Sequence, residues 1–239
     1  MNQLLRNIYS SGKVEDIDHN CFDCFPTSVA SESGVLLYNL IRRHNFKNTL
    51  EVGMAFGLST LFMCQALNDN GSGLHTAIDP IQSTFWHSIG LLNVERAKLK
   101  EVFRFFEAHS YETLPQLYLK GEQFDLAFVD GSHLFDQTLI EFFYIDKLLH
   151  VDGYLAFDDI WMPSIRKVIS FILSNRNYEL VKDVPMESLR SWRRVAATAK
   201  RFIQSPFSRD FAIKLIPRNI CVLRKLADDN RDWKHYRVF

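Results

Sequence analysis

The stretch LEVGMAFGLST, residues 50–60, decides the fold. It starts as an apolar run, passes through Gly53 and Gly57 with the small residue Ala55 between them, and leads into helical spacing. Glycines in such a turn let the backbone come close to a bound ligand. The pattern is not GxGxxG, because Ala55 stands where the second glycine would be. The turn is therefore less suited to binding the pyrophosphate of a dinucleotide. The stretch predicts a strand, a tight turn and a helix, with an ordinary βα turn as the alternative.

Outward from this stretch, short apolar runs alternate with segments of helical spacing. The predicted strands are Thr49–Val52, His75–Ile78, Val102–Phe106, Phe124–Val129, Tyr154–Phe157, Tyr178–Val181 and Asn219–Leu223. The predicted helices are Ser31–His44, Ser59–Leu67, Tyr111–Leu119, Leu134–Leu149 and Pro163–Leu173. Strands that alternate with helices indicate an α/β fold with a parallel sheet covered on both faces.

Length and composition fit a folded protein with a sizeable core. Of the 239 residues, 47% are hydrophobic and 23% charged, so we expect one large domain over residues 1–239, although two small domains remain possible. Basic and acidic residues balance at 28 each, which gives no reason to expect a nucleic-acid partner. The N-terminus lacks the apolar core of a secretory signal, and no apolar run is long enough to span a bilayer. We expect a cytoplasmic protein without a disulfide framework.

One CxxC motif, Cys21 and Cys24 with His19 just upstream, needs an explanation. It could be half of a zinc site or a redox pair. No second CxxC or HxxxH follows to complete a tetrahedral site, so two part-buried thiols beside Phe22 and Phe25 are the favoured interpretation.

Carboxylates follow three further predicted strands, at the edge of the sheet where ligands bind in folds of this kind. Asp79, after the second strand, could accept hydrogen bonds from both hydroxyls of a ribose, or cap a turn. Asp130 follows the fourth strand, and Asp158 and Asp159 follow the fifth. Three such charges would repel each other unless a cation lies among them, and oxygen ligands favour Mg²⁺, with Mn²⁺ or Ca²⁺ possible. The alternative is separate capping and salt bridging.

Two further polar residues stand at the same edge. His133, three residues after Asp130, could accept a proton from a hydroxyl near neutral pH, although a lone histidine is more often structural. Ser110, after the third strand, could contact a bound base or cap the next helix.

Taken together, these motifs resemble the class I S-adenosylmethionine-dependent methyltransferases. The resemblance rests on ExGxxxGxS at residues 51–59, the acid after the second strand, VDGSH at residues 129–133 and the Asp pair at residues 158–159. More narrowly, they resemble the metal-dependent O-methyltransferases of the macrocin type, with catechol O-methyltransferase a more distant relative. The resemblance covers about residues 30–183 and extends to the last strand. It implies a Rossmann-like, doubly wound, mostly parallel seven-stranded sheet with an antiparallel last strand.

The resemblance also implies roles for individual residues and segments. His133 would be the catalytic base, and S-adenosylmethionine and a divalent metal, Mg²⁺ first, would be the cofactors. Residues 1–47 would form an N-terminal helical segment, 48–183 the cofactor- and metal-binding core, 184–216 an insertion or cap, and 217–239 the last strand and tail. The metal ligands would be Asp130, Asp158 and Asp159. The cofactor-binding residues would be Glu51, Gly53, Gly57 and Ser59 on the methionine side, Asp79 at the ribose, Ser110 and Tyr111 at the adenine, and Asp130.

The expected reaction is methylation of a hydroxyl on a small molecule. Asp159 stands where catechol-type enzymes usually carry Asn, which favours a sugar or another polyhydroxylated acceptor over a catechol or phenol. Residues 79–93 are expected to form a loop or lid beside the cofactor. The stretch 188–209 carries six basic residues and no acidic one, so it could contact an anionic sugar conjugate, or be a solvated helix or an oligomer contact.

Alternatives from other classes remain at this point. A nicotinamide-dependent dehydrogenase would use a similar sheet, but the missing GxGxxG and the three carboxylates disfavour it. A non-catalytic protein that binds S-adenosylmethionine is disfavoured by the retained Asp130, His133, Asp158 and Asp159. A basic RNA methyltransferase is disfavoured by the neutral overall charge.

Overall fold

The computed structural model describes residues 2–181 and 219–239, together with the single residues 199, 213 and 216. Seven α-helices lie within the described residues: α1 Gln3–Ser11, α2 Ser31–His44, α3 Leu58–Asp69, α4 Ile89–Arg96, α5 Ser110–Leu119, α6 Phe135–Leu148 and α7 Pro163–Asn175. The strands there are β1 Lys13–Glu15, β2 Cys21–Asp23, β3 Asn48–Val52, β4 Leu74–Ile78, β5 Phe103–Phe106, β6 Phe124–Val129, β7 Leu149–Phe157, β8 Tyr178–Leu180 and β9 Cys221–Lys225.

The central sheet has seven strands in the order β5-β4-β3-β6-β7-β9-β8, while β1 and β2 form a separate antiparallel pair. Strands β3 to β7 are parallel, and β9 runs antiparallel to both β7 and β8. The predicted fold class is therefore confirmed. The chain builds outward from β3 to β4 and β5 and then returns to place β6 on the other side of β3. This reversal of strand order is where open α/β sheets bind ligands.

Both faces of the sheet are covered, which explains why the strands are continuous apolar runs. Alternate residues of β6 point to opposite sides. Leu126 and Phe128 join a core formed with α2 and α3, and Ala127 and Val129 join a second core formed with α6 and α7.

The structure differs from the sequence expectations in three regions of the chain. Helix α1 falls within the expected N-terminal helical segment 1–47, but its bounds were not predicted, and the β1–β2 pair inside that segment was not predicted at all, because nine- and three-residue segments give little periodicity to recognise. Strand β7 begins five residues earlier than expected, at Leu149 rather than Tyr154, and its pairing with β6 shifts register between Phe124 and Leu126. The expected loop or lid at residues 79–93 contains turns and then the start of α4.

The expected insertion, residues 184–216, and its basic stretch 188–209 lie outside the described residues, apart from positions 199, 213 and 216. Over the ranges that the structure describes, no helix combines the length and the hydropathy needed to cross a bilayer.

Candidate active site

The turn after β3 is held between the ends of the two neighbouring strands. The Gly53 amide donates to the Ile78 carbonyl of β4 (2.9 Å), and the Asp130 amide after β6 donates to the Val52 carbonyl (2.8 Å). Gly53 has a φ of +90°, and a Cβ built on it would lie 2.1 Å from the Asp130 carbonyl oxygen. Gly57 has a φ of +79° and begins α3 against the backbone of Gly90. Glycine at position 53 is therefore required both by conformation and by space.

Gly53→Ala should destabilise the fold far more than the same change at Gly71. Both glycines have a left-handed φ, but a Cβ on Gly71 would meet no atom within 4 Å. We expect Gly71→Ala to lower the free energy of unfolding by about 1 kcal/mol, from the strained φ alone. Gly53→Ala should cost at least about 2 kcal/mol more, because the ends of β3 and β6 must separate. Urea unfolding of the two variants measures the difference, and equal losses would contradict this account of the turn.

Asp79, which follows β4, holds the same turn in place through hydrogen bonds. Its Oδ2 accepts from the amides of Met54 (3.0 Å) and Ala55 (2.9 Å), and its Oδ1 accepts from the Ile81 amide (3.0 Å). The side chain is buried but borders the cleft described below. A carboxylate offers about four acceptor positions, so hydrogen bonds to ribose hydroxyls can be added to these three. The ribose-binding role stays a prediction.

Glu51 lies beneath the turn rather than in the cleft. It is fully buried, and its Oε2 accepts from the Thr60 hydroxyl and lies 3.0 Å from His75 Nε2. His75 Nδ1 is in turn 2.9 Å from the Thr49 hydroxyl. This buried series of hydrogen bonds connects β3 to β4 and α3. Any effect of Glu51 on a ligand is therefore transmitted through the turn.

A cleft of about 350 Å³ opens over the carboxyl ends of β3, β4 and β6, within the size range of small-molecule sites. Among the described residues, its lining includes four of the predicted cofactor-binding residues: Gly53, Asp79, Ser110 and Asp130. Glu51, Gly57, Ser59 and Tyr111 are not part of the lining. Tyr111 is half exposed and stacks on His109, with ring centroids 4.8 Å apart. Sequence reasoning missed Trp86, His109, Gln137 and Glu141, which do line the cleft.

Beside the cleft, acidic side chains gather around His133. Its Nε2 lies 3.2 Å from Asp130 Oδ1 and 3.2 Å from Asp159 Oδ2. In the described part of the chain, these three residues form the one group of three or more potential metal ligands, with ligand atoms within 4.8 Å of one another. Cys21, Cys24 and His19 form no such group. Of the three predicted metal ligands, Asp130 and Asp159 belong to this group, His133 joins them, and Asp158 does not.

Crowding shifts the protonation of these groups. Burial raises the pKa of Asp130 to about 6, and the hydrogen bond with His133 opposes part of that shift. Burial, with the charges of Asp130 and Asp159, raises the pKa of Asp158 well above its ordinary value. The hydrogen bond to Asp130 raises the pKa of His133. His133, when protonated, is a cation placed between the carboxylates of Asp130 and Asp159.

Three further contacts orient the acidic side chains. The Asn219 amide, two residues before β9, donates to Asp159 Oδ1 (2.6 Å) and to Asp158 Oδ1 (3.3 Å). Trp161 Nε1 also donates to Asp159 Oδ1 (2.8 Å). The sequence pattern gave no signal for Asn219, because it lies 60 residues after Asp159 and meets it only through the antiparallel pairing of β9 with β7.

Known proteins that are similar to this chain agree with this geometry. A family model described as a methyltransferase domain matches residues 50–160. Caffeoyl-CoA O-methyltransferase of Populus kitakamiensis is 28% identical over 208 residues, covering 84% of this chain and 79% of the relative. Tapetum-specific methyltransferase 1 of Arabidopsis thaliana is 32% identical over 142 residues, which is 57% of this chain and 57% of that protein.

Solved structures support the same fold. The O-methyltransferase of Bacillus cereus in complex with S-adenosylhomocysteine superposes with a TM-score of 0.62 at 19% identity, covering 76% of this chain and 83% of the other. TomG of Streptomyces achromogenes, an O-methyltransferase solved with S-adenosylmethionine, gives 0.62 at 18% identity, covering 76% and 82%. Together with the glycine turn and the cleft beside it, the matched domain model and the curated relatives support a class I S-adenosylmethionine-dependent methyltransferase of the O-methyltransferase group.

Proposed function

We propose that this chain is a divalent-metal-dependent O-methyltransferase whose acceptor carries a hydroxyl beside a second oxygen atom. The observation that supports the proposal is the crowding of Asp130 and Asp159 against His133 at the edge of the cofactor cleft, with Asp158 close enough to both carboxylates for their charges to raise its pKa. Carboxylates that disfavour each other's ionisation are stabilised by a cation, and an oxygen-rich donor set fits Mg²⁺ or Mn²⁺. The carboxylates of Asp130 and Asp159 therefore fit such a metal. Asp158 is outside that group of ligand atoms, and its role as the third ligand is part of the proposal, supported by its proximity to both carboxylates.

Different residues of the chain have different roles in the proposed reaction. The Gly53 turn and Asp79 shape the cofactor side of the cleft. A divalent ion held by the aspartates would act as a Lewis acid that lowers the pKa of the acceptor hydroxyl. His133 Nε2 accepts the proton of that hydroxyl, and for this the imidazole must be neutral. Because the cofactor carries the reactive methyl group, most of the catalysis is positioning.

For the acceptor, we propose a phenol with an adjacent oxygen. Beside His133 and Asp159 the protein exposes three large apolar side chains, Leu134, Phe135 and Trp161. Such a rim suits a flat aromatic ring better than a fully hydroxylated surface. The curated relatives named as caffeoyl-CoA O-methyltransferases point the same way. A sugar diol is the second candidate, favoured by Asp159 where the catechol-type pattern has Asn.

The experiment is calorimetric titration with S-adenosylhomocysteine, followed by Mg²⁺ or Mn²⁺ and then chelator. We expect micromolar binding of S-adenosylhomocysteine, a separate heat for the metal, and turnover that chelator abolishes. Cofactor binding with no metal heat and with turnover that survives chelator would contradict the metal dependence.

A paired acceptor screen tests the substrate class. Caffeate and 4-coumarate differ by one ring hydroxyl, so methylation of caffeate alone would support the need for two adjacent oxygens. Turnover with sugar diols and none with any phenol would contradict the phenol acceptor and support the sugar acceptor.

A further inference from the structure

The carboxyl group of Glu141, on α6, is a buried acid that the reaction proposed above does not use. Its side chain is 3% exposed and borders the cofactor cleft together with Gln137, one helical turn earlier. Its Oε1 accepts from the Ser110 hydroxyl (2.8 Å). Its Oε2 is buried and has no hydrogen-bond partner among the described residues. A buried carboxyl oxygen without a partner is costly, so a donor from a ligand is expected there.

Ser110, Gly131 and Glu141 line the same part of the chain's cleft. Gly131, after β6, carries no side chain, and a Cβ built on it would lie 3.5 Å from Glu141 Oε1. Burial raises the pKa of Glu141 to about 7, and the Ser110 hydroxyl opposes part of this shift. A hydrogen bond from a ligand to the carboxylate would oppose more of it.

The order of groups along the cleft indicates which part of the cofactor reaches Glu141. The backbone of the turn after β3, where Gly53 and Ala55 line the cleft, suits the methionine portion. Asp79, after β4, is the predicted ribose acceptor. The end formed by Ser110, after β5, then remains for the adenine base. Along the base edge of that cofactor, the exocyclic amine is the hydrogen-bond donor.

We propose that Glu141 Oε2 accepts a hydrogen bond from the exocyclic amine of the cofactor's adenine. Through this hydrogen bond the protein binds the cofactor more tightly than an analogue whose base carries an oxygen in place of the amine. When the Glu141 carboxyl is ionised, the 6-oxo analogue places an oxygen against it and offers no donor at this position, so the two nucleosides are compared at about pH 9, above the pKa of Glu141. Ser110 fixes the orientation of the carboxyl group by holding its other oxygen.

The test compares binding of S-adenosylhomocysteine with binding of S-inosylhomocysteine, its 6-oxo analogue, by calorimetry on the full chain without metal or acceptor. The wild type should bind S-adenosylhomocysteine at least about tenfold more tightly. Glu141→Leu should bring the ratio of the two dissociation constants close to one. Glu141→Gln should also lower the ratio, because its amide can either accept from the 6-amine or donate to the 6-oxygen.

Asp136→Leu is the matched control, because it removes an exposed acid from the first turn of the same helix and should leave the ratio unchanged. A folded Glu141→Leu variant that keeps the wild-type ratio would overturn the proposal, and so would a loss of affinity that is equal for both ligands. Because no metal or acceptor is present, the result is independent of the proposed metal chemistry.

Discussion

Asp158→Asn should abolish metal binding and lower turnover at least about 100-fold, while the affinity for S-adenosylhomocysteine changes by less than about twofold. Asp158 suits this test better than Asp130 does. Asp130 borders the cofactor cleft and its carbonyl abuts Gly53, so changing it disturbs both functions. Asp158 is buried behind them and is not part of the cleft lining among the described residues.

The same variant should be more stable than the wild type when metal is absent. The folded chain raises the pKa of Asp158 above its ordinary value of 3.8, so it holds a proton that the unfolded chain releases. Stability from this group is therefore lost as the pH rises above that value. Asn cannot ionise and escapes the penalty, so the midpoint of thermal unfolding in chelator at pH 8 should rise by a few degrees, about 2–4 °C.

The matched control is Asp152→Asn, on the same strand. Asp152 is exposed, pairs with Arg224 (2.6 Å) and has a φ of +70°, a conformation that Asn tolerates. This control should bind metal normally and show no gain in stability. Calorimetry with Mg²⁺ and thermal unfolding with and without chelator measure both effects. If the Asp158→Asn variant binds Mg²⁺ with wild-type affinity, Asp158 is not a metal ligand.

The convergence of acids at one edge could be predicted because it follows from topology. The carboxyl ends of β3, β4, β6 and β7 must meet at the same edge once the strands are parallel, so Asp79, Asp130, Asp158 and Asp159 come together without knowledge of any side-chain angle. Continuous apolar runs fixed the strands for a similar reason, since both faces of the sheet are buried.

The direction of individual side chains could not be predicted in this way. Glu51 stands in the glycine motif but points beneath the turn, toward Thr60 and His75. Its neighbours Leu50 and Val52 point to the opposite face, as strand alternation requires. Glu141 and Asn219 reach the site from α6 and from the segment just before β9, whose docking depends on tertiary packing rather than on local pattern.

His133→Ala should lower turnover by about 10²- to 10⁴-fold, the usual contribution of a general base. In the wild type, turnover should rise with pH through a value above 6.5, because the hydrogen bond to Asp130 raises the pKa of His133 and only the neutral imidazole accepts a proton. The variant should lose this rise. His150→Ala is the matched control, because His150 also pairs with an aspartate, Asp125 (2.8 Å), but at the start of β7, the opposite end of the sheet.

Metal affinity of the same variant separates a base from a ligand. His133 Nε2 lies 3.2 Å from both Asp130 and Asp159, so its protonated form occupies the position that a metal would need. If His133 is the base, its removal leaves two carboxylates without their cation, and Mg²⁺ should bind as tightly as in the wild type or more tightly. If His133 were instead a metal ligand, the affinity should fall about 10- to 100-fold. Weaker Mg²⁺ binding together with an unchanged pH profile would therefore show that His133 is a metal ligand and not the base.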